Sequence, residues 1–301
     1  MSHDGHRFQS TDYAIGSLIA GCAVLALKGC AWWITDSAAL YSDAAESIVN
    51  VAASGIAWVA LAFAARPADA NHPYGHDKAE FFAAVIEGVL IVLAALMIFS
   101  EAWDAYMRPH ALGLPLQGVA LNAAATCING MWSWVLIRAG KRLRSPALKA
   151  DGRHVAADVV TSVGIAVGFL LAVGTGYLIL DPVLAAATGC YVLWSGMGMI
   201  SSSVSGLMDT APEPAVMQRI RELVAESATG AIEAHDLRTR HAGRLTFLEF
   251  HLVVPGQMTV AAAHEICDRI ENALKAEMGH LIITIHIEPE EKAKQCGVPV
   301  L

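Results

Sequence analysis

Six stretches of mostly apolar residues, each long enough to cross a bilayer, fill the first two thirds of the chain, at roughly 14–34, 38–65, 79–106, 116–138, 150–174 and 182–207. About 20 apolar residues in a helix match the thickness of a bilayer's hydrocarbon core. No water is available there for the backbone, so such runs must fold as helices. Composition agrees: 55% of residues are hydrophobic, 16% are charged, and the mean hydropathy is +0.48, far from an ordinary soluble domain. After Asp209 the pattern shifts to one rich in Glu, Arg and His, the mark of a separate soluble domain. The expected division is a tail over 1–13, a six-helix membrane domain over 14–208, a soluble domain over 209–290 and a tail over 291–301.

The opening "MSHDGHRFQSTDY" lacks the basic, apolar and small-residue order of a cleaved signal, so the first run is read as a span. Arg138, Lys141, Arg142, Arg144 and Lys149 crowd the fourth-to-fifth connection. Basic loops stay cytoplasmic, which puts both termini inside an inner (plasma) membrane. Cys22, Cys30, Cys127 and Cys190 lie in apolar runs without CxxC spacing and read as small buried hydrophobes. A net charge of −8 gives no footprint for nucleic acid.

Against that apolar background the ionisable residues stand out. Asp151, His154 and Asp158 fall on one helix face, within about 100°. Buried charges are expensive in a membrane unless paired or exposed to a wet cavity, which makes them functional candidates. Asp43, Glu46 and Asn50 repeat the same three-then-four spacing in the second run. Glu46, Asn50, His154 and Asp158 could then surround one divalent ion, with imidazole and oxygen donors suited to a transition metal. Asp43 and Asp151 stand one turn back, placed to orient the ligands. In the connection "RPADANHPYGHDKAEFF", Asp69, His72 and His76 make a three-ligand set beside a Pro73–Gly75 turn. Lys28 and Glu87 also fall inside spans; they pair with each other, or Glu87 is neutral and Lys28 snorkels.

The segments "KGCAWWITDSAALYSDAAES", "DANHPYGHDKAE", "ADGRHVAADVVTS", "AHDLRTRHAG" and "ITIHIEP" together resemble the cation diffusion facilitator family, and in particular its bacterial zinc and iron efflux members. The resemblance implies divalent-metal/proton antiporters that work as homodimers with six spans. It also implies that the second and fifth spans hold the transport site (Glu46, Asn50, His154, Asp158), that Asp69, His72 and His76 form a loop site, and that Lys78 and Asp209 form a dimer salt bridge. Zinc transporters of the family usually carry Asp or His where Glu46 stands and Asp where Asn50 stands. This donor set suits zinc, iron(II), cadmium, cobalt or manganese.

Residues 213–229 read as an amphipathic helix, followed by strands near 231–241 and 244–254, a helix near 259–278 and a strand near 281–288. This αββαβ order resembles the family's metallochaperone-like, ferredoxin-like α+β domain for metal binding and dimerisation. Its ligand positions match His235, His251, His286 and Glu288, with His264 as an extra. His3, Asp4 and His6 read as a disordered tail. The expected activity is metal efflux by alternating access, with protons and metal competing for the same atoms. No enzymatic activity and no catalytic cofactor are expected, and the partners are metal ions, protons, membrane lipid and a second copy of the chain. The alternatives are an intramembrane metalloenzyme, for which no HExxH is present, and a metal sensor that does not transport.

Overall fold

The computed structural model describes residues 3–35, 38–108, 116–177, 179–243, 245–279, 281–294 and 298–299, and for Asp43 and Glu46 only the backbone. It divides into two compact units, Met1–Val204 and Ser205–Leu301.

The first unit is built from helices α1 (His3–Thr35), α2 (Ala38–Ala64), α3 (Ala79–Met107), α4 (Leu116–Arg142), α5 (Pro146–Thr175) and α6 (Leu180–Leu207). Five of them contain stretches long and apolar enough to cross a membrane, by length and composition among the described residues: Ser10–Ala31, Ser47–Ala64, Ala79–Met107, Ala120–Arg142 and Pro182–Leu207. The count expected from sequence was six. The difference lies in α5, where many side chains between 165 and 174 fall outside the described residues; its first half carries Lys149, Asp151, Arg153, His154 and Asp158. Packing explains how α5 tolerates them: Asp151, His154 and Asp158 are buried. A Cβ on Gly152 would lie 3.0 Å from the Ile137 nitrogen of α4, and Ser133 Oγ donates to the Gly152 carbonyl at 2.9 Å. Small residues at such crossings let membrane helices meet at the backbone. Ser145 caps α5 by accepting the Leu148 N–H, with Pro146 in the first turn, where its missing N–H costs nothing.

Large apolar side chains cover the outside of this unit, among them Leu93, Met97, Trp103, Met131, Trp134 and Trp194, an outer surface suited to lipid. Cys22, Cys30, Cys127 and Cys190 are also exposed, which corrects their reading as buried: in a membrane domain an apolar residue can face lipid as well as core. Helix α1 begins at His3, so the segment read as a disordered tail is helical, extended from an existing helix without a new nucleation step.

The second unit orders as α7 (Pro214–Ser227), β1 (Glu233–Ala242), β2 (Leu245–Val254), α8 (Val260–Met278), β3 (Leu281–Pro289) and a short β4 (Val298–Pro299). The sheet order is β3-β2-β1-β4. Strands β1 and β2 pair antiparallel, and α8 carries the chain over to place β3 parallel to β2. Thr259 caps α8 by accepting the Ala262 N–H at 3.2 Å. Gly279, at φ +77°, ends it in the left-handed conformation that glycine adopts without strain. Leu248, Phe250, Leu252 and Val254 form a core with Ile220, Val224, Ile266 and Ile270 of the two helices. The period of two in a strand then turns His251 to the helix-free face. Strand β4 pairs with Glu233 and Ala234 within the stretch expected to be a tail; two residues are too few for a periodic signal.

Candidate metal sites

The α2–α3 connection folds around Asp69. Its Oδ1 accepts the backbone N–H groups of Asn71 at 2.9 Å and His72 at 2.7 Å. Those bonds, the His72 N–H first, hold its carboxyl below the ordinary carboxylate range. Gly75, at φ +87°, turns the chain so that His76 comes back under His72, with ring centroids 4.4 Å apart. His72 Nδ1 lies 3.4 Å and His76 Nε2 3.5 Å from the Asp69 carboxylate, and one donor atom from each residue falls within 4.8 Å of the others. His76 is buried, and its Nδ1 has no hydrogen-bond partner among the described residues. The structure thus brings together all three residues singled out in this loop.

A second cluster crosses the helix-free face of the sheet. Strand register places His235 opposite His251 and His251 beside His286, with ring centroids 5.3 and 5.0 Å apart. Glu288, two residues along β3, reaches His235 Nε2 at 3.3 Å, His251 Nδ1 at 3.2 Å and His286 Nε2 at 3.8 Å. Among the described residues His235 Nε2 and His251 Nδ1 are buried and make no hydrogen bond of good geometry, so with Glu288 beside them these ring nitrogens face the space a cation would fill. A bulge between His235 and Arg238 adds a residue absent from the sequence reading, Asp236, held at φ +53° and grouped with His235 and His251. Lys294 Nζ bonds its carboxylate at 2.6 Å and holds it below the usual range. His264 stays apart within one chain: it is exposed on α8, 3.7 Å from Asp268.

Between α2 and α5 the donors are arranged differently. His154 Nε2 lies 2.8 Å from Asn50 Oδ1, which ties the two repeated motifs together. Asp158, one turn further along, is held by Lys28 Nζ at 3.2 and 3.4 Å and by Asn129 Nδ2 of α4. Lys28 therefore neither snorkels nor pairs with Glu87, whose two buried carboxyl oxygens have no hydrogen-bond partner among the described residues. Asp151 Oδ1 accepts from Ser54 Oγ at 3.1 Å, and Ser54 meets Ser17 Oγ at 3.2 Å. The Glu46 and Asp43 side chains lie outside the described residues. Asn129 escaped the sequence reading, although a lone Asn in the apolar run "ATCINGMWSW" was a signal. Asp209, at φ +60°, lies 4.0 Å from Arg240, and Lys78 is half-buried at the start of α3.

Comparison with known proteins matches residues 14–208 to the model of the cation efflux transmembrane domain and residues 212–290 to that of the cation efflux protein cytoplasmic domain. A transporter of Synechocystis, sll1263, is 43% identical over 95% of this chain and 93% of its own. The cation-efflux pump FieF of Cronobacter sakazakii is 30% identical over 96% of this chain and 95% of its own. A solved structure of a proposed zinc transporter, CzrB, in its zinc form is 47% identical over 29% of this chain and 98% of that chain, with a TM-score of 0.28.

Proposed function

The chain belongs to the cation efflux, or cation diffusion facilitator, family, and from that premise we propose that it exports zinc or iron(II) in exchange for protons by alternating access. Family membership makes it a multi-pass transporter of divalent metal cations rather than an enzyme. The finer reading adds α5 as the sixth span, both termini in the cytoplasm of an inner-membrane protein, residues 209–290 as the cytoplasmic domain, and a homodimer with a Lys78–Asp209 bridge.

The observation that carries the reading is the 2.8 Å contact between Asn50 and His154, which joins α2 to α5 at the heart of the two motifs. Glu46, Asn50, His154 and Asp158 are the proposed ligands of the transported ion, with Asp43 and Asp151 supporting them. His154 binds metal only when neutral and the carboxylates only when ionised, so protons and metal exclude one another at the same atoms. That exclusion is what couples their fluxes. The loop residues Asp69, His72 and His76 and the sheet residues His235, His251, His286 and Glu288 are proposed metal-binding sites outside the membrane, and His264 serves one of them only across the dimer. Asn50 is a neutral oxygen donor, and three oxygen donors with one imidazole suit iron(II) as well as zinc, which is why both ions are proposed.

The test is metal-dependent proton flux in proteoliposomes, with zinc, iron(II), manganese and cadmium offered in parallel. Proton release coupled to zinc or iron(II) uptake is expected. Metal flux with no accompanying proton movement would rule out antiport, and no flux of any metal would reject transport at this site.

A further inference from the structure

We infer that Lys28 is a tethered cation that occupies the Asp158 carboxylate while metal is absent, so that the transported ion enters by displacing it and leaves as it returns. This rests on the proposed transport site and adds a component that none of its ligands supplies.

Lys28 belongs to α1 and Asp158 to α5, 130 residues apart. The ammonium lies 3.2 and 3.4 Å from the two carboxylate oxygens, with the two side chains only 1% and 3% exposed. Asn129 donates to the same Oδ2, so both oxygens are engaged. A divalent ion ligated by Asp158 would sit about 2 Å from one of those oxygens. That position puts it in direct repulsion with an ammonium held on the same carboxylate, in surroundings that screen charge poorly. Metal and Lys28 therefore compete for Asp158.

Lysine suits such an exchange, because its charge is a compact point on a flexible four-carbon stem. A small cavity of about 10 Å³ opens one helical turn away, beside Val24 and Trp132, with Ser47, Asn50, Ser54 and Asn129 as the polar part of a largely apolar lining. It is the size of a single water, and its hydroxyl and amide oxygens can accept from a displaced ammonium. The exchange has two consequences. Lys28 weakens metal binding by competition, and it speeds release by taking back the carboxylate the metal vacates.

The test is zinc transport by the full-length protein in proteoliposomes. Wild-type flux comes first, since its absence would reject the transport reading itself and not this one. Given that flux, Lys28→Met is expected to lower KM and kcat together, each by about tenfold, the size of one close charge coupling. Lys28→Gln, which keeps a donor to Asp158 without the charge, is expected to move both the same way and carries the test if the Met variant does not fold. An unchanged or raised KM, or a fall in kcat alone, would overturn the proposal. Failure of both variants to fold would overturn it too, by making the pair a structural clamp.

Discussion

Two lysine–aspartate pairs stand beside two candidate metal sites, one inside the bilayer region and one on the surface of the soluble domain. Lys28 holds Asp158 at 3.2 Å with both side chains buried; Lys294 holds Asp236 at 2.6 Å with both exposed. The shorter contact is the weaker one energetically, because water screens an exposed pair and competes for both partners. The difference extends to the sites. In the sheet, the ring nitrogens of His235 and His251 face the Glu288 carboxylate at 3.3 and 3.2 Å, close to solvent that limits the cost of an open site. Within the membrane helices, His154 Nε2 is closed on Asn50 and the Asp158 carboxylate on Lys28 and Asn129, while His154 Nδ1 has no hydrogen-bond partner among the described residues. A membrane site with no metal must neutralise itself, whereas a surface site can stay open.

The sharpest way to break this contrast is to remove the two partners on α5 in turn. His154→Ala should reduce zinc flux on the order of hundredfold while leaving the protein folded, since it leaves no charge unpaired. Asp158→Ala should abolish flux and also destabilise the protein by about 3–5 kcal/mol, because it strands the Lys28 ammonium. Thermal unfolding in detergent separates the two variants, and equal melting temperatures would mean that Lys28 has another adequate counter-charge.

On the sheet side, residues 209–290 carry their own hydrophobic core and can be studied alone. Changing His251 and His286 together to Ala should weaken zinc binding by calorimetry by about tenfold to hundredfold with little change in metal-free stability. A large loss of metal-free stability would show that these rings pack rather than wait. Within the membrane site, Asn50→Asp should tighten divalent binding at neutral pH by about tenfold, on the scale of one added charge interaction. It should also change the order among zinc, cadmium and iron(II). If affinity and order both stay put, Asn50 only positions His154.

How much of this was legible in the sequence depended on whether a contact follows from periodicity. The set His235, His251, His286 and Glu288 was legible only through the family resemblance, and the loop cluster from residues only a few positions apart. The repeated motif in α2 and α5 pointed to Asn50 and His154. What stayed hidden depends on three-dimensional packing. Lys28 and Asp158 are 130 residues apart, and no local pattern selects Asp158 over Glu87 as the partner. Asp236 was invisible for a different reason: plain alternation sends it to the opposite face, and only the bulge after His235 brings it into the cluster. The intramembrane charges of α5 stand out in the sequence because an apolar run follows directly on them, and Asp151, His154 and Asp158 are buried in the fold.

The smallest expected effect is Lys294→Met, which tests the comparison from its weak end. Lys294 holds the Asp236 carboxyl below its ordinary value, so the folded state has the lowered pKa. The pair's stabilisation is therefore fully present above the unfolded carboxylate value of about 3.9 and is lost as pH falls through the lowered folded value. Removing Lys294 should thus lower the melting temperature slightly at neutral pH and make no difference once the medium is more acidic than that folded value. For metal the sign reverses, since Asp236 loses a competitor: zinc affinity of the sheet site should rise, by only about twofold to threefold, as expected for a screened surface pair. Calorimetry at neutral pH measures that rise, and high salt should shrink it further. A gain as large as that expected from Lys28→Met would show that burial does not set the strength of these lysine clamps, and the contrast between the two sites would fail.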